Sequence, residues 1–505
     1  MDNISSYNSV WSLWERNSKN APDKDAIVHW LATDEPIRWS YSDLIKKANQ
    51  VSATLKKLGI RRNQVVAIII KHNPLFYPVY FGIAGLGAIP AVLAYPNPRL
   101  HPDKFRSGII GMSQRSGLDY ILTQRDIEPV IAPLLEPGKT TINGLFFPEE
   151  WDLNDAVWES EKEEITVIRN SIKPEDPFLL QHSSGTTGLQ KPVLLSQRAI
   201  IEHVKYYSEA IKLTQEDKIA SWLPLYHDMG LIAAYHLPLA YGITSVQIDP
   251  FEWVLAPSLL TEVIGKEKAT LTWLPNFAYN FMAERIEDDE LEGIRLDTLR
   301  MAINCSEPVR NESHVRFYER FKDFGIRKTA LTACYAMAET TYGVTQTPPD
   351  EEPKLMIVDR DELAAGRVSP AIEGKASRVC VSSGMAIEGC SVRIVDSERK
   401  EVAPGMVGEI AISSVSMFDG YRNYPEKTAE VLIDGWYYSG DYGFMVEDEL
   451  FVIGRKKDII IVAGKNIYPE DVEDAVGKVP DVLPGRVIAF GYDNTDLGTE
   501  EVSVV

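Results

Sequence analysis

Short apolar runs alternate along the chain with longer stretches in which apolar positions recur at helical spacing. The runs lie at 65–70, 120–123, 178–181, 219–223, 245–248, 270–274, 301–304 and 329–333, and the longer stretches at 42–58, 197–211, 257–264 and 312–324. Such runs predict buried strands and the stretches amphipathic helices. Their alternation predicts layered α/β structure with largely parallel sheets, a fold class whose ligands collect at the carboxyl ends of strands. Residues 74–95 are uncharged and almost wholly apolar, long enough to span a bilayer. Pro74, Pro78 and Pro90, with Gly82, Gly85 and Gly87 between them, predict instead a buried helix to about Leu86, a turn and a buried strand at 91–94, and no integral membrane span. From about Val379 helices nearly vanish. Short strands at 391–395, 408–413, 436–439 and 449–453 predict a small β-barrel-like subdomain. After Gly454-Arg455-Lys456-Lys457-Asp458 a strand at 459–462 opens another unit, of α+β type, and 501–505 is again strand-like.

At 505 residues the chain exceeds a single hydrophobic core. A formal net charge of −21 argues against a nucleic-acid partner, because phosphate backbones would be repelled. The four cysteines, Cys305, Cys334, Cys380 and Cys390, form no CxxC pair and have no histidines at zinc spacing, so they read as thiols of a reducing cytoplasm. The N-terminus carries no basic segment followed by an apolar core, and no signal peptide is expected.

The densest chemistry is QHSSGTTGLQKP at 181–192, which places four hydroxyls, two glycines and a lysine between two apolar runs. It predicts a strand, a tight loop and a strand. Glycines let successive N–H groups converge on an anion, hydroxyls add donors, and the lysine adds a movable positive charge. Alone, the segment reads equally well as a polar surface hairpin, and it lacks the Gly-Lys-Ser/Thr ending of a Walker A loop.

Other segments follow it in order: WLPLYHDMG at 222–230, NCSEP at 304–308, ACYAMAET at 333–340, YSGD at 438–441, GRKKD at 454–458 and GKNIYP at 464–469. The set resembles the adenylate-forming superfamily of acyl-CoA synthetases, nonribosomal peptide adenylation domains and luciferases. Within it, LPLYHDMG, PNFAY at 275–279 and VDRDELAAGRV at 358–368 resemble fatty acyl-AMP ligases. In that family an insertion after the glutamate motif is held to restrict domain rotation, favouring transfer to carrier-protein pantetheine over free CoA.

The resemblance implies a large domain at 1–453 built of two layered α/β subdomains plus the β-rich one, a hinge at 454–458 around Lys457, and part of a C-terminal domain at 459–505. It implies ATP and Mg²⁺ as cofactors, a hydrophobic carboxylic acid as substrate and an acyl carrier protein as acceptor. Ser184, Gly185, Thr186, Thr187, Gly188 and Lys191 would cradle the β- and γ-phosphates, and Glu339 would hold Mg²⁺. Tyr335 would stack on adenine, with Asn304, Ser306, Glu307 and Pro308 lining the base and Ala336, Met337, Ala338 and Thr340 completing the wall. Asp441 and Arg455 would take the ribose. His227 would place the acyl carboxylate, with Trp222, Asp228, Pro275, Phe277 and Tyr279 about the acyl entrance. His227, Glu339 and Lys191 are the expected catalytic residues. Physics supports the assignments independently, since one anion must attack another and charge neutralisation dominates the barrier.

Departures exist: Ala336 stands where the family has glycine, and Cys305 and Ser306 replace the glycine and alanine of its usual motif. The family's C-terminal domain is of small-domain size, roughly a hundred residues, and carries a catalytic lysine near its end. No lysine in 458–505 matches that one, so this segment is expected to be a partial domain. Two alternatives stay open: an acyl-CoA ligase, and a non-catalytic acyl-adenylate- or nucleotide-binding protein.

Overall fold

The computed structural model describes residues 4–96, 101–136, 138–183, 190–462, 465–477, 479–480, 482, 487–494 and 499–505. Strand Val65–Ile69 is buried along its whole length, as a β-branched run with helices on both faces should be. It pairs in parallel with Ile89–Val92 on one side and Tyr120–Thr123 on the other, and Gly144–Phe146 closes the far edge. The apolar stretch beginning at Pro74 forms helix Phe76–Gly85, buried at every position, followed by that Ile89–Val92 strand. A helix apolar all round belongs inside the protein. Gly82 lets it touch helix Tyr41–Lys57, since a Cβ there would lie 2.3 Å from Val51 Cγ1. Among the described residues no helix is long and apolar enough to cross a membrane.

A second, larger sheet carries Met301–Asn304 at its centre. Leu271–Leu274 and Leu331–Ala336 flank that strand in parallel. Beyond Leu271–Leu274 come Lys218–Ser221, Thr244–Gln247, Asp25–His29 and the antiparallel edge Ile37–Ser40. The strand expected at 329–333 begins later and runs further, because a 3₁₀ turn, Lys328–Ala330, occupies its front.

The β-rich segment expected after Val379 forms, as part of an open sheet rather than a closed barrel. Its strands Cys390–Val395, Gly408–Ser414, Trp436–Val446 and Glu449–Arg455 join, through Met385–Ala386 and Gly343–Gln346, the edge of the large sheet in one open path. The junction depends on Gly384, at φ +88°, where a Cβ would meet the Gln346 carbonyl carbon at 2.1 Å. One helix, Pro425–Val431, interrupts these strands.

Strands Leu355–Asp359 and Ser377–Val381 form a separate antiparallel pair, with the short helix Arg360–Ala364 following the first. Val358, Leu363 and Cys380 pack with Phe444, Phe451 and Tyr468. Arg378 and Arg360 both reach Asp471, at 3.3 and 3.6 Å, on helix Pro469–Gly477. The last strand, Thr499–Val504, pairs with Ala489–Asn494.

Candidate active site

The hairpin Pro177–Ser183/Lys191–Ser196 forms as the sequence predicts, with Ser183 opposite Lys191 in register. Of the expected phosphate loop, Ser184, Gly185, Thr186, Thr187 and Gly188 lie outside the described residues. Lys191 opens onto a cleft of about 810 Å³ between the hairpin, the ends of the parallel strands and the β-rich segment. His227, Asp228, Ser306, Ala336, Met337, Ala338, Glu339, Asp441, Arg455 and Lys457 line it too. Residues more than two hundred positions apart therefore face one space.

Glu339 sits on the 3₁₀ turn Ala338–Thr340 and is only 5% exposed. The Tyr421 hydroxyl donates to its Oε1 at 2.7 Å, and Lys191 Nζ stands 4.0 Å from the same oxygen. Among the described residues no group of three or more His, Cys, Asp or Glu side chains is arranged to hold a metal alone. A single buried carboxylate at a cleft wall suits Mg²⁺, which keeps most of its shell as water and substrate phosphate oxygens.

Asp441 lies opposite Arg455 in the strand pair and 3.7 Å from its Nε. The Tyr335 hydroxyl donates to Asp441 Oδ2 at 2.6 Å. Burial raises the Asp441 pKa, and the Tyr335 hydrogen bond and the Arg455 charge oppose that rise without cancelling it. His227 Nδ1 is 2.7 Å from Asp228 Oδ1. Burial works to lower the His227 pKa, but the Asp228 carboxylate outweighs it and holds the imidazole above its ordinary value. Asp228 also accepts from Met229 N at 2.8 Å and caps the π-helix Met229–His236. The cleft thus brings the Lys191 ammonium, the Arg455 guanidinium and the His227 imidazole together with the carboxylates Glu339 and Asp441.

Other expected site residues are placed elsewhere. Asn304 is fully buried; its Nδ2 donates to Asn276 Oδ1 and lies 3.0 Å from His314 Nε2, tying strand ends together rather than facing the cleft. Tyr279 is a core residue whose hydroxyl donates to the Ala302 carbonyl. Thr340 is buried and its hydroxyl closes its own turn on the Met337 and Tyr342 carbonyls. Glu307 accepts from Phe277 N at 2.9 Å and joins two loops. Pro308 is exposed and Pro275 buried, outside the cleft lining. Trp222 stacks flat on Trp253 at 3.6 Å, with Phe277 at its edge. Sequence reasoning missed Gln181, Glu409, Tyr421, Tyr437 and Lys456. Tyr421 falls in FDGYRN, where no periodicity marks it, and only the fold brings it to Glu339.

Residues 14–422 match the family model described as AMP-binding enzyme. The chain is 29% identical over 456 residues to the medium-chain-fatty-acid–[acyl-carrier-protein] ligase JamA of Moorena producens, covering 87% of this chain and 75% of that protein. It is 26% identical over 525 residues to the long-chain-fatty-acid–AMP ligase FadD26 of Mycobacterium bovis, covering 98% and 86%. A crystal structure of a fatty acyl-adenylate ligase from L. pneumophila, in complex with acyl adenylate and pyrophosphate, superposes with a TM-score of 0.83. It is 28% identical and is matched over 100% of this chain and 87% of that one. With the motifs in order and the cleft they line, the conclusion is that the chain belongs to the AMP-binding enzymes of the adenylate-forming superfamily.

Proposed function

We propose that the chain joins a fatty or related hydrophobic carboxylic acid to the AMP moiety of ATP and passes the acyl group to the phosphopantetheine thiol of an acyl carrier protein. The observation that carries this reading is the convergence of Lys191, Glu339, His227 and Asp441 on one cleft. The relatives named for acyl-AMP and acyl-carrier-protein ligation support it.

In the first step a carboxylate oxygen attacks the α-phosphorus, an O–P bond forms, and the bond to the β-phosphate bridge breaks to release pyrophosphate. Lys191, with the loop 184–188, neutralises the departing phosphates. His227, oriented by Asp228 and with its proton affinity raised by that carboxylate, draws the acid's carboxylate into line. Asp441 accepts from the ribose hydroxyls beside Arg455, and Tyr335, anchored on Asp441, supports the base. Glu339 would hold Mg²⁺, which when bound screens the phosphate charge and polarises the α-phosphorus. In the second step the thiol sulfur attacks the acyl carbon, AMP leaves, and the thiol proton passes to solvent.

Residues 356–370, packed between the β-rich strands and Tyr468, would limit rotation of the unit after Lys457, with 454–458 as the hinge. That packing favours a carrier protein over free CoA as acceptor. Mass spectrometry of adenylates formed from a panel of acids tests the reading. Acyl-AMP should accumulate with fatty acids, where burial gains roughly 0.8 kcal/mol per CH₂. Adenylates formed from free amino acids but not from fatty acids would overturn it.

A further inference from the structure

The geometry points to Tyr421 as a positioning residue that keeps Glu339 and Lys191 apart and ready, the one for a divalent cation and the other for phosphate. The inference rests on the function proposed above.

Tyr421 is 3% exposed, and its hydroxyl is committed to Glu339 Oε1 at 2.7 Å. The face of its ring lies under Lys191 Nζ, 5.4 Å from the centroid. One side chain therefore touches both ends of an opposite-charge pair that is itself held at 4.0 Å.

The backbone around Tyr421 is tied to both partners. Asp419 N and Arg422 N donate to the Leu194 and Pro192 carbonyls, so the segment runs along the return strand that Lys191 begins. Phe418 N donates to the Glu339 carbonyl, and Ser416 Oγ to that of Thr340. Tyr421 N is fixed by Thr428 Oγ1 at 2.9 Å. The phenol is thus delivered from the β-rich segment onto the meeting point of the phosphate hairpin and the Glu339 turn.

The chemistry follows from charge. A buried carboxylate facing a lysine across 4 Å gains by closing into a direct ion pair. That pair would spend the anion a cation needs and the cation a phosphate needs. A phenol satisfies Oε1 with a neutral donor, so Glu339 keeps its full negative charge, while the ring's negative face holds Lys191 loosely from the side. Tyr437 backs the arrangement, its hydroxyl 3.5 Å from that of Tyr421.

The test uses Tyr421→Phe, which keeps the ring and removes only the hydroxyl, and Tyr421→Leu, which removes both. Mn²⁺ binding in the presence of a non-hydrolysable ATP analogue is read by electron paramagnetic resonance, independently of turnover. Metal-free analogue binding is read by calorimetry and folding by the melting midpoint of the free protein. Tyr421→Phe should weaken Mn²⁺ binding about tenfold, the scale of one hydrogen bond to a charged group. Its metal-free nucleotide binding should stay at the wild-type value, and its melting midpoint should fall by no more than the few degrees that one lost buried hydrogen bond costs. Tyr421→Leu should weaken metal-free nucleotide binding as well. Wild-type Mn²⁺ affinity in Tyr421→Phe overturns the proposal, as does a loss accompanied by an equal loss of metal-free nucleotide binding or by a melting midpoint so low that the variant is unfolded at the assay temperature. If the wild-type protein itself binds neither nucleotide nor Mn²⁺, the functional reading falls first and the proposal with it.

Discussion

Acid should unfold this protein well above the pH at which its carboxylates titrate. Of eight histidines, five are buried: His29, His182, His203, His236 and His314. Burial pushes His29, His203 and His236 down to about 3, and His182 and His314 down to about 4. Each is neutral in the folded chain and takes up a proton once unfolded below about pH 6.5. Because the folded values are depressed, the stabilisation is fully present above pH 6.5 and is lost as pH falls toward the folded values. Burial holds His72 down to about 4 as well, so between pH 7.5 and 5.5 each of six unfolded imidazoles gains roughly 1.4 kcal/mol, about 8 kcal/mol together. A typical domain has only about 5–15 kcal/mol in all. Urea unfolding followed by tryptophan fluorescence at a series of pH values measures the loss, and a pH-stat counts about five to six protons taken up by these imidazoles per chain unfolded at pH 5.5. His203→Gln, which leaves an acceptor for Gly343 N, should lower that count by one. A midpoint that does not move between pH 7.5 and 5.5, or unfolding without proton uptake, would refute the reasoning.

Asp441→Ala should weaken ATP and acyl-AMP binding by the loss of charge-assisted hydrogen bonds, roughly 1.5–3 kcal/mol each, and calorimetry with unchanged affinity removes Asp441 from the ribose role. Asp471→Ala frees Arg378 and Arg360 from helix Pro469–Gly477 and should raise the ratio of acyl-CoA to acyl-carrier-protein product. An unchanged ratio in a thioester assay would count against the clamp. Gly384→Ala places a Cβ 2.1 Å from the Gln346 carbonyl carbon at a positive φ. It should lower the melting midpoint by several degrees, about 3 kcal/mol or more of strain, and wild-type thermal stability would contradict that packing.

Much of the α/β body was legible because buried parallel strands are continuous apolar runs. Val65–Ile69, Tyr120–Thr123 and Met301–Asn304 fall almost where the runs do. Edge strands hide better: Ile37–Ser40 carries Arg38 and Ser40 on a half-exposed surface, and nothing in its pattern separates it from a loop. The β-rich segment was legible as a run of short strands, but not how those strands end. Short alternating strands look the same whether a sheet closes on itself or continues an edge, and the deciding contact is one glycine, Gly384, against Gln346. In the site, residues set in motifs were readable as a group, but their individual duties were not. Asn304 shares a motif with the cleft residue Ser306, and Tyr279 one with Pro275 and Phe277 outside it, yet both spend their polar atoms on the core. Tyr421 lies behind the cleft wall, holding Glu339 from a segment that carries none of the motifs.

The π-helix Met229–His236 has a consequence for chain length. Its last bond spans five residues, from Leu237 N to the Ile232 carbonyl, so it contains one residue more than an α-helix joining the same two ends. Both ends are pinned: Asp228 reaches His227 and caps the first turn, while His236 stacks on Trp14 and meets Tyr80. Removing one residue between 231 and 235 would let the backbone relax to ordinary α geometry, but it would rotate one end against the other by about 100°. The surplus residue works as a vernier, reconciling an angle demanded by the core with an angle demanded by the cleft. Length variation in this stretch should therefore be far less tolerated than substitution of its apolar side chains.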